Sequence, residues 1–316
     1  MKLQQQNRVL PFLNQYGAIV LLAILLAGNA AFTQGFISIN VIWNLVTQGF
    51  VTIIVSLGMM LAISSGGIDL SVGSVMPVAA MITAKSLNLG VVPAVLLGVL
   101  AAIAVGCFNG VMISVCKIQP FIVTLSMYMA ARGLAQLTNK SMVYNFTNDA
   151  FNSLSRYKLG GIVPIQIVII PIFILIMYVI VKKCTVGRYI QTIGDNCTAA
   201  RLSGVSIVTT TIFVYAASAM LAGFAGIFET ARVGAADPNT LGHNAELDAI
   251  ASVVLGGTPM SGGKINFSGT IFAALVMQVI VITANMNNIS AQFAYIVKAV
   301  IILVAVILQQ RDSLKR

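Results

Sequence analysis

The chain has 316 residues, of which 58% are hydrophobic and only 8% charged, with a formal net charge of +10. A soluble domain carries about 25% charged residues, so this chain cannot cover a soluble globule and belongs to the membrane class. The basic balance does not indicate nucleic acid: no dense basic patch with interleaved aromatics occurs, and basic residues in multi-span proteins flank the spans on the cytoplasmic side.

Crossing a bilayer takes about 20 mostly apolar residues. Lys2 and Arg8 precede the first apolar run, Tyr16–Ala31. Gly28-Asn29-Ala30 is a poor signal-cleavage site, so this run is expected to stay as a span. Val41–Ser64 follows and ends in Ser64-Ser65-Gly66-Gly67-Ile68-Asp69-Leu70-Ser71-Val72-Gly73-Ser74. Then come a short run, Val75–Ala84, and full-length runs over Val91–Ser114 and Phe121–Leu137. A polar loop, Thr138–Gly161, separates these from Ile162–Val181. Beyond a polar stretch, Lys182–Ile207, lies Val208–Phe228, then a second polar loop, Glu229–Ala245. A short run, Leu247–Leu255, breaks at Gly256-Gly257, and two more follow at Phe267–Ala284 and Phe293–Leu308 before the basic tail Arg311–Arg316.

The expected fold is therefore all-α, a multi-pass membrane protein with about ten transmembrane helices, some short or broken, forming one domain over residues 1–316. An even number of crossings puts both termini on one side. With that side cytoplasmic, inner loops hold Lys117, Lys182, Lys183, Arg188, Arg201 and Lys264 as well as the basic termini. Outer loops hold Lys85, Lys140, Arg156, Lys158 and Arg232. The excess inside favours this orientation.

Asp69 is the only acid before Asp149. A carboxylate at membrane depth faces a cavity, a partner or a helix end. It is expected to cap the next helix, to line a pathway opened by the Gly66-Gly67 break, or to do both. The pattern Gly66-Gly67…Ser71-x-Gly73 recurs as Gly256-Gly257…Ser261-x-Gly263, and broken helices in repeated halves line transporter sites. Small residues in packed membrane helices account for the same pattern. Gly256–Lys264 superficially resembles a phosphate loop, but Thr258 replaces its first glycine and Ile265 its metal-binding hydroxyl, so it is rejected. Any ATP-driven work must come from a partner. Glu246 and Asp248 head a short helix, where acids complement the dipole, with no nucleophile or metal ligand nearby. The four cysteines (107, 116, 184, 197) lack metal spacing and imply no disulfide framework. His243 is the single histidine. No cofactor is expected.

The 182–207 stretch is polar yet ordered in its signals. Asn196 is a plausible N-cap, Cys197–Ser203 a two-turn helix, and Gly204 its C′ residue. So short a helix persists only when packed, which suggests a docking site for a water-soluble partner.

Several of these motifs together resemble the ribose/xylose/galactoside-type permease subunits of bacterial ABC importers. They are Gly66–Ser74, Asn109-Gly110, Pro120–Leu125, Arg132-Gly133, Gly187-Arg188-Tyr189, Gly194, Asn196, Ala199–Gly204, Glu246–Ala251, Val254–Gly257 and Ser261–Gly263. The resemblance runs in order over about residues 40–310. It implies a type II-like permease fold in the bacterial inner membrane, paired with a second copy of the permease, a separate ATP-binding cassette subunit and an extracytoplasmic sugar-binding protein. It makes 182–207 the cytoplasmic coupling loop, with Gly187, Arg188, Gly194, Asn196, Ala199, Ala200, Arg201, Leu202 and Gly204 as the ATPase-coupling residues. Gly66, Gly67, Asp69, Ser71, Asn109, Gly256 and Gly257 become the broken-helix or pathway residues, and Asp237, His243 and Glu246 the binding-protein docking residues. Asp195, Pro259 and His243-Asn244-Ala245 depart from the family pattern.

The expected function is import of a monosaccharide powered by the partner ATPase. The alternative is a stand-alone secondary transporter or channel for a small polar solute. Asp69, Lys298 and Arg132 are its only candidate relay groups, too few for a proton pathway. An intramembrane enzyme lacks a catalytic constellation. Polar residues near the spans (Asn44, Gln48, Asn109, Gln278, Asn285) line the path or bond between helices.

Overall fold

The computed structural model describes the backbone of residues 2–313 and the side chains of 17–307 apart from Ala291 and Ala305. The basic residues Lys2, Arg8, Arg311, Lys315 and Arg316 lie outside the described side chains. Each of the apolar segments forms a helix. These are α1 (Lys2–Phe32), α2 (Ile39–Ser64), α3 (Val72–Lys85), α4 (Val91–Ser114) and α5 (Pro120–Thr138), then α7 (Gln166–Lys182), α10 (Ile207–Val233), α11 (Ala245–Leu255), α12 (Phe267–Met286) and α13 (Ala291–Ser313). Polar segments supply α6 (Asp149–Arg156), α8 (Thr185–Asp195) and α9 (Cys197–Leu202). Among the described residues, four two-residue strands pair in connecting segments, β1 (Tyr144–Asn145) with β4 (Ala235–Ala236) and β2 (Lys158–Leu159) with β3 (Val163–Pro164).

Three boundaries differ from the sequence expectation. The Thr138–Gly161 loop contains α6, whose start is fixed by Asn148 accepting from the Phe151 N–H at 2.9 Å. The span expected at Ile162 begins at Gln166, because Val163-Pro164 pairs as a strand. The span expected to end at Phe228 continues to Val233, held by the Glu229–Arg232 ion pair one turn apart and stopped by Gly234 at φ 83°.

Among the described residues, four helices suffice by length and composition to cross a membrane (α2, α4, α10 and α12), and the α7–α8 pair, bent by 65°, makes a fifth. The others fall short for physical reasons: α3 has 14 residues, α11 has 11, and α5 carries Arg132 and several hydroxyls.

The centre of the bundle is α10, wrapped by α2, α3 and α4. Helix association in lipid depends on close packing rather than on escape from water, and α4 carries a small residue every fourth position: Gly98, Ala102, Gly106, Gly110. A Cβ at Gly106 would overlap the Tyr215 carbonyl, one at Gly110 would overlap Ile212, and one at Gly98 would overlap the Ala79 carbonyl. On the opposite face of α10, Phe224 and Phe228 meet α7 and α2 through Phe173 and Phe50, with centroids 5.5 and 4.8 Å apart. Around this dense centre, Leu96, Leu100, Phe108, Leu134, Leu175 and Leu303 stand exposed on α4, α5, α7 and α13.

Candidate functional site: a helical elbow and a cavity at the opposite end

The 182–207 stretch is an elbow of two helices, not a loop with one. Gly187 lets α8 fold back on α7, since a Cβ there would overlap the Val181 carbonyl. Ile190 and Ile193 turn inward as the apolar face of α8. This face was hidden in the sequence by the polar residues between. The capping of α9 follows the sequence reading: Asn196 Oδ1 accepts from the Ala199 N–H at 2.9 Å. At the other end Gly204, at φ 82°, donates to Arg201 O and Val205 to Ala200 O, each at 3.0 Å.

The candidate coupling residues divide into two sets. Gly187 and Ala200 are buried and Gly194 is half-buried, while Arg188, Asn196, Ala199, Arg201, Leu202 and Gly204 face outward. Leu202 is 85% exposed. An exposed apolar side chain beside Arg201 at the end of a packed six-residue helix is suited to insertion into a partner's groove.

Behind the elbow lies a contact made almost wholly of backbone. The Gly263 N–H donates to Ser64 O at 3.0 Å and the Ser64 hydroxyl donates to Lys264 O at 3.1 Å. A Cβ at Gly194 would overlap Ser64 O and Gly263 N, and one at Gly262 would meet the backbone of Gly66 and Gly194. The end of α2, the end of α8 and the turn after α11 therefore meet mainly through backbone, with only the short side chains of Ser64 and Asp195 at the contact. The two glycine pairs do not superpose as a repeat: the first glycine of Gly66-Gly67, but the second of Gly256-Gly257, takes positive φ. The long helix precedes the first break and follows the second.

The α2–α3 break is a buried polar hub. Asp69 is fully buried; its Oδ1 accepts from the Ser71 N–H at 3.1 Å and the Ser71 hydroxyl at 2.6 Å. It thus forms a two-residue turn ahead of α3, whose N-cap is Ser71, and does not cap the helix directly as expected. Asn109 of α4 donates to the Ser71 hydroxyl at 3.0 Å, and Thr124 of α5 donates to Ile68 O at 3.1 Å. Tyr215 and Ser218, a turn apart on α10, adjoin the same carboxylate. Both were missed in the sequence because neither is unusual in an apolar helix.

A cavity of about 520 Å³ opens at the other end of the bundle. It lies between α2, α12 and α13 and the α10–α11 segment. Its lining includes Gln48, Thr52, Asp237, His243, Asp248, Gln278, Asn285 and Lys298. Gln278 donates to Gln48 Oε1 at 2.9 Å. Lys298, only 6% exposed, donates to both oxygens of Asp248 at 2.8 Å. Of this pair only Lys298 was legible as a lone charge in an apolar run, a pattern that calls for a partner because an unpaired charge at that depth is costly; Asp248 was read with Glu246 as a helix-head acid. None of Gly66, Gly67, Asp69, Ser71, Asn109, Gly256 and Gly257 lines the cavity.

Of the docking candidates, Asp237 and His243 sit at the cavity rim, whereas Glu246 is buried, its carboxylate beside Gly73 of α3. Arg132 fixes this region, donating to Gly73 O at 2.9 Å and Leu241 O at 2.7 Å. The Asp237 carboxylate accepts from Asn239 N–H at 2.8 Å and from the Thr240 hydroxyl. Desolvation raises its pKa, but these hydrogen bonds together outweigh it and hold the group below the ordinary carboxylate value.

Residues 41–306 match the family model described as branched-chain amino acid transport system / permease component. The ribose import permease protein of Escherichia coli K12 is 34% identical over 307 residues, covering 96% of this chain and 95% of that protein. Its counterpart in Haemophilus influenzae is 36% identical over 306 residues, 94% and 93% of the two chains. The D-allose transport system permease protein of E. coli K12 is 32% identical over 307 residues, 96% and 93%. No solved structure matches the chain. With apolar helices packed around α10 and this match over most of its length, the chain belongs to this family of membrane permease components and is a transport subunit, not an enzyme.

Proposed function

We propose that the chain is the membrane-spanning permease of an ATP-driven bacterial importer that carries a monosaccharide across the inner membrane. The observation that carries this reading is the α8–α9 elbow joined to the ends of α2 and α11 through glycine backbone, in a chain whose relatives are named as ribose and allose permeases. An ATP-binding subunit docks on Arg188, Asn196, Ala199, Arg201 and Leu202. Gly187, Gly194, Ala200 and Gly204 shape and seat the elbow. A sugar-binding protein docks at the opposite end, over Asp237 and His243, with Glu246 supporting that surface from beneath.

The whole chain, 1–316, acts as a single permease domain with 182–207 as its coupling element. All ten apolar helices cross or enter the bilayer, the short α3 and α11 as halves of broken spans, and both termini lie with the elbow in the cytoplasm. The exposed leucines of α4, α5, α7 and α13 face lipid or a second copy of the permease. When the ATPase closes, the elbow pushes on Ser64 and Gly263 and tilts α2 and α12. Gly66, Gly67, Asp69, Ser71, Asn109, Gly256 and Gly257 then act as the hinge region of the pathway. Moving such an equilibrium from 1:99 to 99:1 takes about 5.5 kcal/mol of differential binding, a scale available to nucleotide-driven closure. A transporter working alone is disfavoured, because Lys298 is engaged by Asp248 and Asp69 is enclosed by hydroxyls, leaving no continuous relay of titratable groups among the described residues.

The test is purification of the tagged chain in mild detergent. Co-purification of an ATP-binding protein in equal or half-equal amount is the expected result. The chain emerging alone, under conditions that preserve a related importer, would overturn the reading.

A further inference from the structure

We infer that the outer cavity is itself a sugar-binding site, in which the Asp248–Lys298 pair and the Gln48–Gln278 pair select neutral polyhydroxylated solutes; this rests on the importer reading above. The position fits. Gln48 lies 16 residues before the elbow end of α2, roughly 24 Å along a helix. Asn285 lies 18 residues past the start of α12, roughly 27 Å. The cavity is therefore at the end remote from the ATPase, where solute arrives. Its volume of about 520 Å³ falls within the range of small-molecule sites.

The chemistry is specific. A sugar presents adjacent hydroxyls, each both donor and acceptor. Lys298 has three N–H donors, two of which meet Asp248, so one remains; the Asp248 oxygens keep further lone pairs. The Gln278–Gln48 bond uses one N–H and one carbonyl, leaving the Gln48 amide N–H groups and the Gln278 carbonyl free to bond. Two donor–acceptor pairs thus line one cavity from α2, α11, α12 and α13. Each is electrically neutral as a pair. Asp237 at the rim adds a negative charge, which opposes anions such as sugar phosphates.

A purely structural staple would not need charge. A buried ion pair contributes little over well-packed apolar residues, and the rest of α13 from Phe293 to Leu308 is uncharged apart from Lys298. A recognition pair does need it, because ionised groups make stronger hydrogen bonds to hydroxyls than neutral ones do.

The test uses the whole transporter, co-purified with its ATP-binding subunit and placed in lipid nanodiscs without binding protein. Saturation-transfer NMR is run with D-ribose, D-allose and D-fructose, and with ribose 5-phosphate. The expected result is a signal from at least one neutral sugar and none from the phosphate. That signal should fall at least tenfold in Lys298→Met and in Asp248→Asn, and stay low in the inverted pair Asp248→Lys/Lys298→Asp, with each variant shown by co-purification to be assembled. An inverted pair that restores wild-type signal would assign a staple and overturn the inference. So would the absence of signal in a wild-type complex that still imports one of these sugars with ATP. A wild-type complex that imports none of them, supplied with its binding protein, would overturn the importer reading itself.

Discussion

The two ends of this bundle are built from opposite materials. At the elbow, Gly66, Gly194, Gly262 and Gly263 bring three chain segments together backbone to backbone. At the cavity, Gln48, Asp248, Gln278 and Lys298 meet through long side chains around open space. A contact made mostly of backbone leaves few rotamers to absorb a displacement, which suits the proposed passage of a push on α8 to α2 and α12. Side chains around a void can re-form their bonds with an arriving solute. One end is suited to transmitting motion and the other to exchanging partners.

The largest effect in breaking this contrast is expected from filling the backbone contact. Gly194→Val would drive a branched side chain into Ser64 O and the Gly263 N–H. Uptake should be lost, with misassembly or uncoupling visible on co-purification. A valine of the same size at exposed Thr192, two residues away on another face of α8, should leave uptake within about twofold. Next is Arg201→Glu, which reverses charge on the outward face of α9 while leaving Ala200 seated. The ATPase should lose its response to sugar while the permease remains folded; normal sugar-stimulated hydrolysis in this variant would contradict the docking role.

A smaller effect is expected from Asn196→Ala, which removes the α9 cap at a cost of about 1 kcal/mol. It should show as faster hydrogen exchange over 197–202 and a few-fold drop in uptake, with the outer cavity unaffected. The smallest is at the rim. The Asp237 carboxyl titrates below its ordinary value, so it stabilises the 237–240 turn above the ordinary carboxylate pKa of about 4. That stabilisation is lost as pH falls through the lower folded value. Exchange protection of this turn should hold from pH 7 to 5 and weaken only below about 4; in Asp237→Ala it should be low throughout.

What could be read beforehand was what is local. The bounds of α4 follow from the apolar run Val91–Ser114 itself, and α9 follows from an asparagine and a glycine at either end of one short helix. The helix α8 was obscured because its buried face is two isoleucines wide. The direct cap expected of Asp69 became a turn onto Ser71, a shift of two residues that neither composition nor spacing reveals. The glycine contact joins residues 64, 194 and 263, and the Lys298–Asp248 pair spans 50 positions. Such meetings depend on how the helices pack, and helical periodicity says nothing of them. Likewise the resemblance made Glu246 a docking residue, but Gly73 leaves room for its carboxylate beneath the surface.

The most direct test of the account is thiol cross-linking at the two ends. Cys197 is exposed on α9, so a variant keeping only this cysteine is compared with a cysteine-free variant carrying His243→Cys. With a short bifunctional reagent and the assembled complex in proteoliposomes, Cys197 is expected to link to the ATP-binding subunit, in a yield that changes with nucleotide. The cysteine at 243 is expected to link only to a sugar-binding protein added outside. A link from position 243 to the ATP-binding subunit, or none from Cys197 in an intact transporting complex, would contradict it.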